Sequence, residues 1–228
     1  MKKKAFVLLS GGLDSVFNLY QAVKKWPGGV EALFFNYGQR AYQSEARAAR
    51  YFAESLGVEL RTLDVKFLFG EDGSALTSAK NRIPTGDVNI ESYEASVASA
   101  KPVWVANRNG LFLNIAACLA EQSQAQYVVP GFNKEEAATF PDNSRAFIDA
   151  MNRSLSFSTS NHVEVFCFST EMNKSEIYAE LLDGDGEVDK IWPCYFDGDE
   201  ICGRCESCQL FLRAKKEGEK RHAHGFSE

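Results

Sequence analysis

The chain has 228 residues, of which 45% are hydrophobic and 25% are charged, and it is long enough to fold around a substantial core. Its formal net charge of −6 argues against a general affinity for nucleic acid, which requires a basic surface, so we expect small-molecule substrates. No apolar run approaches the ~20 residues of a membrane span, and the run after Lys2-Lys3-Lys4 is too short for a signal peptide. We therefore expect a cytoplasmic protein without nucleic-acid or membrane partners.

The first predicted strand, from Ala5 to Leu9, leads into the stretch Ser10-Gly11-Gly12-Leu13-Asp14-Ser15. A short continuous apolar run is typical of a buried parallel strand, and the glycine pair permits a tight turn. Apolar residues recur at helical spacing from Leu13 to Lys25, so Asp14 and Ser15 fall in a first helical turn. Free N–H groups at a helix N-terminus, together with two serine hydroxyls, predict a cradle for a phosphate or pyrophosphate.

The same stretch is also compatible with an ordinary strand-to-helix turn in which Ser10 only caps the helix. It lacks the lysine of G-x-x-x-x-G-K-[ST] and does not read G-x-G-x-x-G, which weakens both a kinase-type P-loop and a dinucleotide-binding loop. The stretch resembles the S-G-G-x-D-S pyrophosphate loop of the N-type ATP pyrophosphatases. That resemblance implies cleavage of ATP between its α and β phosphates, with AMP attached to an oxygen of the substrate.

The remaining chain alternates between predicted strands and predicted helices. Strands are predicted at 30–35, 58–65, 126–129 and 163–168, and helices at 43–56, 111–124, about 144–155 and 172–182. Such alternation predicts an α/β fold: a Rossmann-like, doubly wound parallel sheet of about five strands with helices on both faces. Ligands bind such sheets beyond the carboxyl ends of the strands, where Ser10 to Ser15 and Asn36 to Arg40 both lie.

Two segments show no clear periodicity. Residues 67–102 are rich in glycine and polar residues, so we expect a long excursion on the ligand side of the sheet, part of it mobile or ordered by substrate. A plain surface loop is the simpler alternative. The charged tail from Lys215 to Glu228 is expected to be frayed.

Four of the six cysteines cluster near the C-terminus. Cys118 and Cys167 stand alone in apolar stretches and are expected to be buried core thiols. The other four lie close together and could converge on one metal ion: Cys194, Cys202, Cys205 and Cys208. An iron–sulfur cluster and a redox dithiol remain alternatives, but four thiolates leave no open position for chemistry, which favours structural Zn2+.

Both constellations together resemble the 7-cyano-7-deazaguanine synthase family, and the resemblance extends over nearly the whole chain. The motifs that carry it are S-G-G-L-D-S at 10–15, F-N-Y-G-Q-R at 35–40, R-N-G-L-F-L at 108–113, K-S-E-I at 174–177, W-P-C-Y at 192–195 and C-G-R-C-E-S-C at 202–208. The loop alone is shared with GMP synthetase, asparagine synthetase and tRNA-modifying relatives. The combination of this loop with the C-terminal C-G-R-C-E-S-C motif is much more specific to the 7-cyano-7-deazaguanine synthase family.

The resemblance implies two rounds of adenylation. ATP activates the carboxylate of 7-carboxy-7-deazaguanine and ammonia gives an amide; a second ATP activates the amide oxygen, whose loss leaves the nitrile. The family resemblance also suggests a homodimer. We expect an ATP pyrophosphatase domain at 1–185 and a small helical zinc-binding subdomain at 186–228.

Roles for individual residues also follow from the resemblance. ATP and its pyrophosphate are assigned to Ser10, Gly11, Gly12, Leu13, Asp14, Ser15, Gln39 and Arg40, with Asp14 supporting Mg2+. Asp14, Ser15, Arg108 and Lys174 are assigned to catalysis, although Lys174 could equally be a surface lysine. Asn109, Phe140 and Asp142 are assigned to the deazaguanine, because an aromatic ring stacks on a base and a carboxylate accepts from its N–H groups.

The segment around Phe140 departs from the family pattern. Members read V-P-x-R-N and D-Y-S-G-Y-P-D-C-R, whereas this chain reads V-A-N-R-N at 105–109 and A-A-T-F-P-D-N-S at 137–144. A paralogue that adenylates another carboxylate, or joins deazaguanine to another amine, is therefore the first alternative. A non-catalytic nucleotide-binding or zinc-scaffold module is the second, but it would be expected to have lost the loop hydroxyls or Asp14.

Overall fold

The computed structural model describes residues 3–69, 73–86, 90 and 92–225. Its centre is a parallel five-stranded sheet with strand order β3-β2-β1-β4-β5. The strands are β1 (Ala5–Leu8), β2 (Val30–Asn36), β3 (Glu59–Asp64), β4 (Tyr127–Val129) and β5 (Glu164–Val165). The chain builds outward from β1 to β3 and then returns to place β4 on the other side of β1. The predicted doubly wound sheet is confirmed, and its topological switch point lies between β1 and β4.

Eight helices accompany the sheet in the described part of the chain. They are α1 (Leu13–Lys25), α2 (Tyr42–Ser55), α3 (Tyr93–Val103), α4 (Arg108–Gln122), α5 (Lys134–Ala137), α6 (Arg145–Ser158), α7 (Lys174–Asp183) and α8 (Glu206–Gly225). Short 3-10 turns occupy Lys66–Leu68, Pro141–Asn143 and Val188–Lys190. None of these described helices combines the length and apolar character needed to cross a membrane.

The sheet has an apolar core on each face, because successive side chains of a strand point to opposite sides. Phe6 and its neighbours pack with residues of α4 and α6. Val7, the next residue of β1, belongs to the second core with residues of α1, α2, α7 and α8. Helices therefore cover both faces, as the alternation of strands and helices predicted.

Helix starts were predicted correctly from the sequence where a side chain caps the helix. Asn173 Oδ1 accepts the Glu176 N–H at 3.0 Å and Glu176 Oε2 accepts the Asn173 N–H at 2.9 Å, which confirms the predicted capping pair of α7. Ser144 caps α6 by accepting the Phe147 N–H at 3.2 Å. By contrast, α4 begins at Arg108 rather than at Leu111.

The excursion after β3 contains a helix that the sequence did not predict. Helix α3 starts after Ser92, whose hydroxyl accepts the Ala95 N–H at 3.3 Å. Five of its 11 residues are alanine or serine, so the sequence shows no clear apolar stripe along this helix. Earlier in the excursion Ala75, Leu76 and Ile83 are buried, so this stretch is not a plain surface loop. Residues 70–72, 87–89 and 91, on which part of the predicted mobility falls, lie outside the described residues.

Two further predictions are wrong. The tail does not fray at Lys215, because α8 continues to Gly225 and packs on α7, with Ala214 fully buried. A Cβ at Gly218 would come within 2.7 Å of the Tyr178 ring, so this helix face is closely packed. Cys118 is exposed, because it lies on the outer side of an otherwise apolar helix.

Candidate active site

A cavity of about 230 Å³ opens at the carboxyl edge of the sheet, beside the switch point. Its walls come from the loop after β1, the end of β2, the first turns of α2 and α4, and the segment after β4. It brings together most of the residues that the sequence singled out, namely Ser10, Gly12, Leu13, Asp14, Ser15, Gln39, Arg40, Arg108, Asn109 and Lys174. Residues far apart in the sequence thus meet in one concave site.

The loop after β1 is held together by its own two serines. Ser15 Oγ donates to the Gly12 carbonyl at 2.9 Å and lies 3.1 Å from Ser10 Oγ. The Gly12 N–H donates to Ser10 Oγ at 3.3 Å. The residue that caps α1 is Gly12, which offers no side-chain cap, so the alternative in which Ser10 merely caps the helix does not hold. The first N–H groups of a helix have no carbonyl partner within it, and residues of the first turn of α1 line the cavity.

Glycine is required at two points around this loop. Gly11 has φ +84°, a left-handed conformation, and a Cβ there would lie 2.6 Å from the Ala48 Cβ of α2. Gly11 does not line the cavity, so its contribution is the shape of the loop. After β4, a Cβ at Gly131 would lie 2.6 Å from the Ser15 nitrogen and 2.8 Å from its Cα.

Replacing Gly131 by alanine is expected to lower turnover strongly while the fold is retained. The added methyl group would push against the backbone of Ser15, which cannot move away as a flexible side chain would. We expect overpacking to cost roughly 1–3 kcal/mol of stability. Kinetics with ATP and thermal unfolding would check this. Gly184→Ala, at the C-terminal cap of α7, is the matched control, because it adds the same methyl group outside the cavity at a φ of −93°, with 3.5 Å to the nearest atom. Wild-type turnover in Gly131→Ala would contradict the assigned contact.

A buried charge cluster lies beside the loop. Lys174 Nζ is 2.6 Å from Asp14 Oδ2 and 2.8 Å from Glu136 Oε1. Lys174 is only 6% exposed, so it is not a surface lysine. The second carboxylate oxygen of Asp14, Oδ1, is buried and has no hydrogen-bond partner among the described residues. This oxygen is an available ligand for a cation in the cavity.

The pKa values show how the cluster divides its charge. Burial raises the pKa of Asp14, and the attraction of Lys174 does not fully offset that effect. Burial also acts to raise the pKa of Glu136, but Lys174 outweighs it and this pKa falls below its ordinary value. Burial acts to lower the pKa of Lys174, yet the two carboxylates hold it above its usual range. Lys174 therefore remains an ammonium that is shared by the carboxylates of Asp14 and Glu136.

Gln39 and Arg108 line the same cavity. Gln39 Nε2 donates to the Phe35 carbonyl and to Glu45 Oε2, both at 2.9 Å, so both amide hydrogens are engaged within the protein. Arg108 Nη1 donates to the Tyr37 hydroxyl at 3.3 Å. Burial raises the pKa of Tyr37 to about 12, which keeps that hydroxyl protonated.

Of the other predicted site residues, Arg40 and Asn109 line the main cavity, whereas Phe140 and Asp142 lie outside it. Arg40 lies over the Phe196 ring at 5.0 Å. Asn109 Nδ2 donates to the backbone carbonyl of Asp142 at 3.4 Å. Neither Phe140 nor Asp142 lines the main cavity.

Phe140 instead lines a second cavity of about 270 Å³ that shares Glu136 and Tyr195 with the first. Its ring stacks on Trp104 with a centroid distance of 6.1 Å and an interplanar angle of 7°. The segment at 137–144 nevertheless reaches the main cavity through Asn143.

Several residues that line the main cavity were not predicted from the sequence, among them Glu45, Gly131 and Glu136. Gly131 follows β4 directly, so the rule that ligands meet the carboxyl ends of strands could have identified it. Glu136 carries no such signal, because its position depends on Asn133, whose Oδ1 accepts the Glu136 N–H at 2.9 Å.

The four C-terminal cysteines form a compact cluster whose sulfur atoms all lie within 4.8 Å of one another. Backbone N–H groups donate hydrogen bonds to sulfurs of this cluster. Cys194 Sγ accepts from the Phe196 and Cys202 N–H groups, each at 3.4 Å, and Cys202 Sγ accepts from Arg204 at 3.4 Å and Cys205 at 3.3 Å. N–H donors favour the thiolate form, and thiolates bind metal. The cluster can therefore hold one metal ion.

Comparison with known proteins gives concordant matches. Residues 4–218 match the family described as "Queuosine biosynthesis protein QueC". A 7-cyano-7-deazaguanine synthase from Bdellovibrio bacteriovorus is 47% identical over 215 residues, covering 94% of this chain and 92% of that protein. The enzyme of the same name from Carboxydothermus hydrogenoformans is 45% identical over 213 residues, covering 93% and 98%. The one from Pelotomaculum thermopropionicum is 43% identical over 216 residues, covering 93% and 96%. The chain belongs to the QueC family of queuosine biosynthesis proteins.

Proposed function

We propose that this chain is an ATP-dependent carbon–nitrogen ligase that converts 7-carboxy-7-deazaguanine and ammonia into 7-cyano-7-deazaguanine. The observation that supports the proposal is that the Ser10–Ser15 loop and the Asp14–Lys174–Glu136 cluster lie in one cavity. The names of the curated relatives support the same reaction.

The chemistry that we assign to the loop is stabilisation of the pyrophosphate as it leaves ATP. The N–H groups at the start of α1 and the hydroxyls of Ser10 and Ser15 would hold its oxygens, with the Lys174 ammonium close by. No protein nucleophile is needed, because the substrate's own oxygen attacks the α-phosphate. Ammonia then displaces AMP, and a second adenylation of the amide oxygen allows the nitrile to form.

Asp14 is the residue that we assign to Mg2+. Its Oδ1 is buried and has no hydrogen-bond partner in the described part of the chain, so it fits a hard cation that favours carboxylate oxygen. When bound, the ion neutralises developing charge on the phosphates.

We also propose that the four cysteines hold structural Zn2+. Four converging sulfurs with backbone N–H donors suit a closed tetrahedral site. We place this site in a C-terminal subdomain at 186–228, after an ATP pyrophosphatase domain at 1–185. A cytoplasmic location would keep these thiols reduced, and we propose a homodimer as the assembly.

A paralogous reaction is the second candidate, in which the same adenylation serves another carboxylate or another amine. It is favoured by one observation: Phe140 and Asp142, assigned to the deazaguanine, do not line the main cavity.

Product analysis of the purified protein tests both candidates. We expect AMP and pyrophosphate to form when ATP, 7-carboxy-7-deazaguanine and an ammonium salt are supplied, with mass spectrometry showing the amide and then the nitrile. Omission of ammonium should stop product formation and is the matched control. Formation of ADP would contradict the loop assignment. AMP released with another acid, or a product lacking the nitrile, would favour the paralogous reaction.

A further inference from the structure

We propose that Glu45 is a specificity-determining residue whose carboxylate accepts hydrogen bonds from the exocyclic amine of a purine-type base in the main cavity. The inference rests on the proposed function, because both large substrates of that reaction carry such a base. Glu45 lies in the first turn of α2 and lines the same cavity as the Asp14–Lys174–Glu136 cluster.

The Glu45 carboxylate is held in a fixed orientation by Gln39. Gln39 Nε2 donates to Glu45 Oε2 at 2.9 Å. Gln39 is itself fixed, because its Oε1 accepts the Tyr37 N–H at 3.0 Å and its Nε2 also donates to the Phe35 carbonyl at 2.9 Å. Gln39 is only 5% exposed, so this support is not shared with solvent. A preoriented acceptor is typical of a residue that reads a ligand.

The carboxylate is also incompletely satisfied within the protein. Within the described ranges, no lysine or arginine forms an ion pair with Glu45, and its Oε1 accepts no hydrogen bond. Burial raises the pKa of Glu45 to about 7, although Gln39 and the more distant charge of Arg108 oppose this shift. A half-buried acceptor that faces a cavity gains most from N–H donors on a ligand.

The surroundings suit the faces of a flat heterocycle. Phe35 and Phe112 stack with a centroid distance of 4.0 Å and an interplanar angle of 7°, and both line the cavity with Leu76. Apolar walls with a few fixed polar groups are typical of small-molecule sites.

Two bases could supply the amine, and their edges differ. A guanine-type edge places a ring N–H beside the exocyclic amine, so one carboxylate can accept from both. The adenine amine is flanked by acceptor nitrogens, so only one donor faces the carboxylate and a neighbouring lone pair repels it. The geometry of donors therefore favours the 7-deazaguanine of the acid over the adenine of ATP.

Paired ligand affinities test the inference. The wild-type protein should bind a 7-carboxy-7-deazaguanine analogue that lacks the exocyclic amine roughly 10-fold to 100-fold more weakly than the parent acid. In Glu45→Gln, affinity for the parent should fall by a similar factor, and the ratio between parent and analogue should shrink towards one. Gln39 requires an acceptor, so the new amide would turn its oxygen to Gln39 and present N–H groups to the base.

ATP and its analogue without the adenine amine form the second pair. A ratio that shrinks only in this pair would support the same role for Glu45 with adenine as the base. Unchanged ratios in both pairs would overturn the inference. Equal affinity of the wild type for parent and analogue in both pairs would overturn it even if Glu45→Gln failed to fold. Glu54→Gln, an exposed residue on the same helix, is the matched control and should leave every ratio unchanged.

Failure of this inference is distinguishable from failure of the proposed function. If the wild-type protein forms AMP and the nitrile but the parent-to-analogue affinity ratios are the same in Glu45→Gln, only the role of Glu45 is wrong. If the wild-type protein neither binds the acid nor releases AMP, the proposed function is wrong. Asp142→Ala tests the alternative site of base recognition. A loss of acid affinity in that variant alone would mean that Asp142, and not Glu45, recognises the base.

Discussion

Replacing Asp14 by asparagine is expected to lower turnover by roughly 100-fold to 1,000-fold, the loss typical when one preorganised charge-stabilising group is removed from a site. The substitution preserves the shape of the side chain but removes the charge of Oδ1, the oxygen for which the described residues supply no hydrogen-bond partner. Turnover with ATP and the Mg2+ concentration needed for half-maximal rate are the measurements.

The same substitution is expected to leave the melting temperature unchanged or slightly higher. The pKa of Asp14 is raised in the folded protein by burial, so at neutral pH the ionised carboxylate opposes folding relative to its protonated form. Asparagine removes that cost, and Lys174 keeps Glu136 as its partner at 2.8 Å. Activity and stability should therefore move in different directions, as expected where a site sacrifices stability for chemistry.

Asp149→Asn is the matched control for this experiment. Asp149 lies on α6 and forms an exposed pair with Arg145 at 3.1 Å, which contributes little to stability. It should change neither turnover nor melting temperature. Near wild-type turnover in Asp14→Asn would assign the cation to another ligand. A large fall in melting temperature would mean that the Asp14–Lys174 pair mainly holds the fold together.

Much of this site could be predicted because its signals are local in the sequence. The loop from Ser10 to Ser15 follows a buried strand and leads into a helix. Both the strand and the helix can be recognised from the residues on either side of the loop. The Asn173–Glu176 capping pair likewise fixed the start of α7 and so placed Lys174 in its first turn. The cysteine spacing was equally local.

What could not be predicted depends on packing between distant segments. Lys174 is a site residue because α7 packs beside α1 and brings its ammonium to Asp14, a contact across 160 positions of the chain. Glu136 reaches the same point through a short helix whose only local mark is its Asn133 cap. Glu45 looked like any charged residue on an amphipathic helix, and only the cavity distinguishes it.

Replacing Cys205 by serine is expected to release the bound metal and to lower the melting temperature sharply. Cys205 is fully buried in a core that also contains Cys194 and Cys208. The binding energy of a structural zinc site is part of the folding energy and reaches ~10–16 kcal/mol in zinc-finger peptides. If about 5 kcal/mol of it supports this fold, the melting temperature should fall by roughly 10–20 °C.

The effect should extend to the active site, because the cysteine cluster holds part of the excursion after β3. Thr85 forms an antiparallel bridge with Cys205, the Gly86 N–H donates to the Arg204 carbonyl at 3.1 Å, and Gln209 Nε2 donates to the Gly86 carbonyl at 2.6 Å. Earlier in the same excursion, Leu76 lines the main cavity. Loss of the metal should therefore raise the KM for substrates at temperatures where the protein remains folded.

Elemental analysis, thermal unfolding and kinetics of the same preparations check this prediction, with Cys118→Ser as the matched control. Cys118 is exposed and lies outside the cluster, so its replacement should change neither metal content nor melting temperature. We expect about one zinc per wild-type chain, since four thiolates complete one tetrahedral site. Iron accompanied by visible absorption would assign an iron–sulfur cluster instead. An unchanged melting temperature in a Cys205→Ser protein that has lost its metal would mean that the core around Cys194 and Cys208 holds the excursion by packing alone.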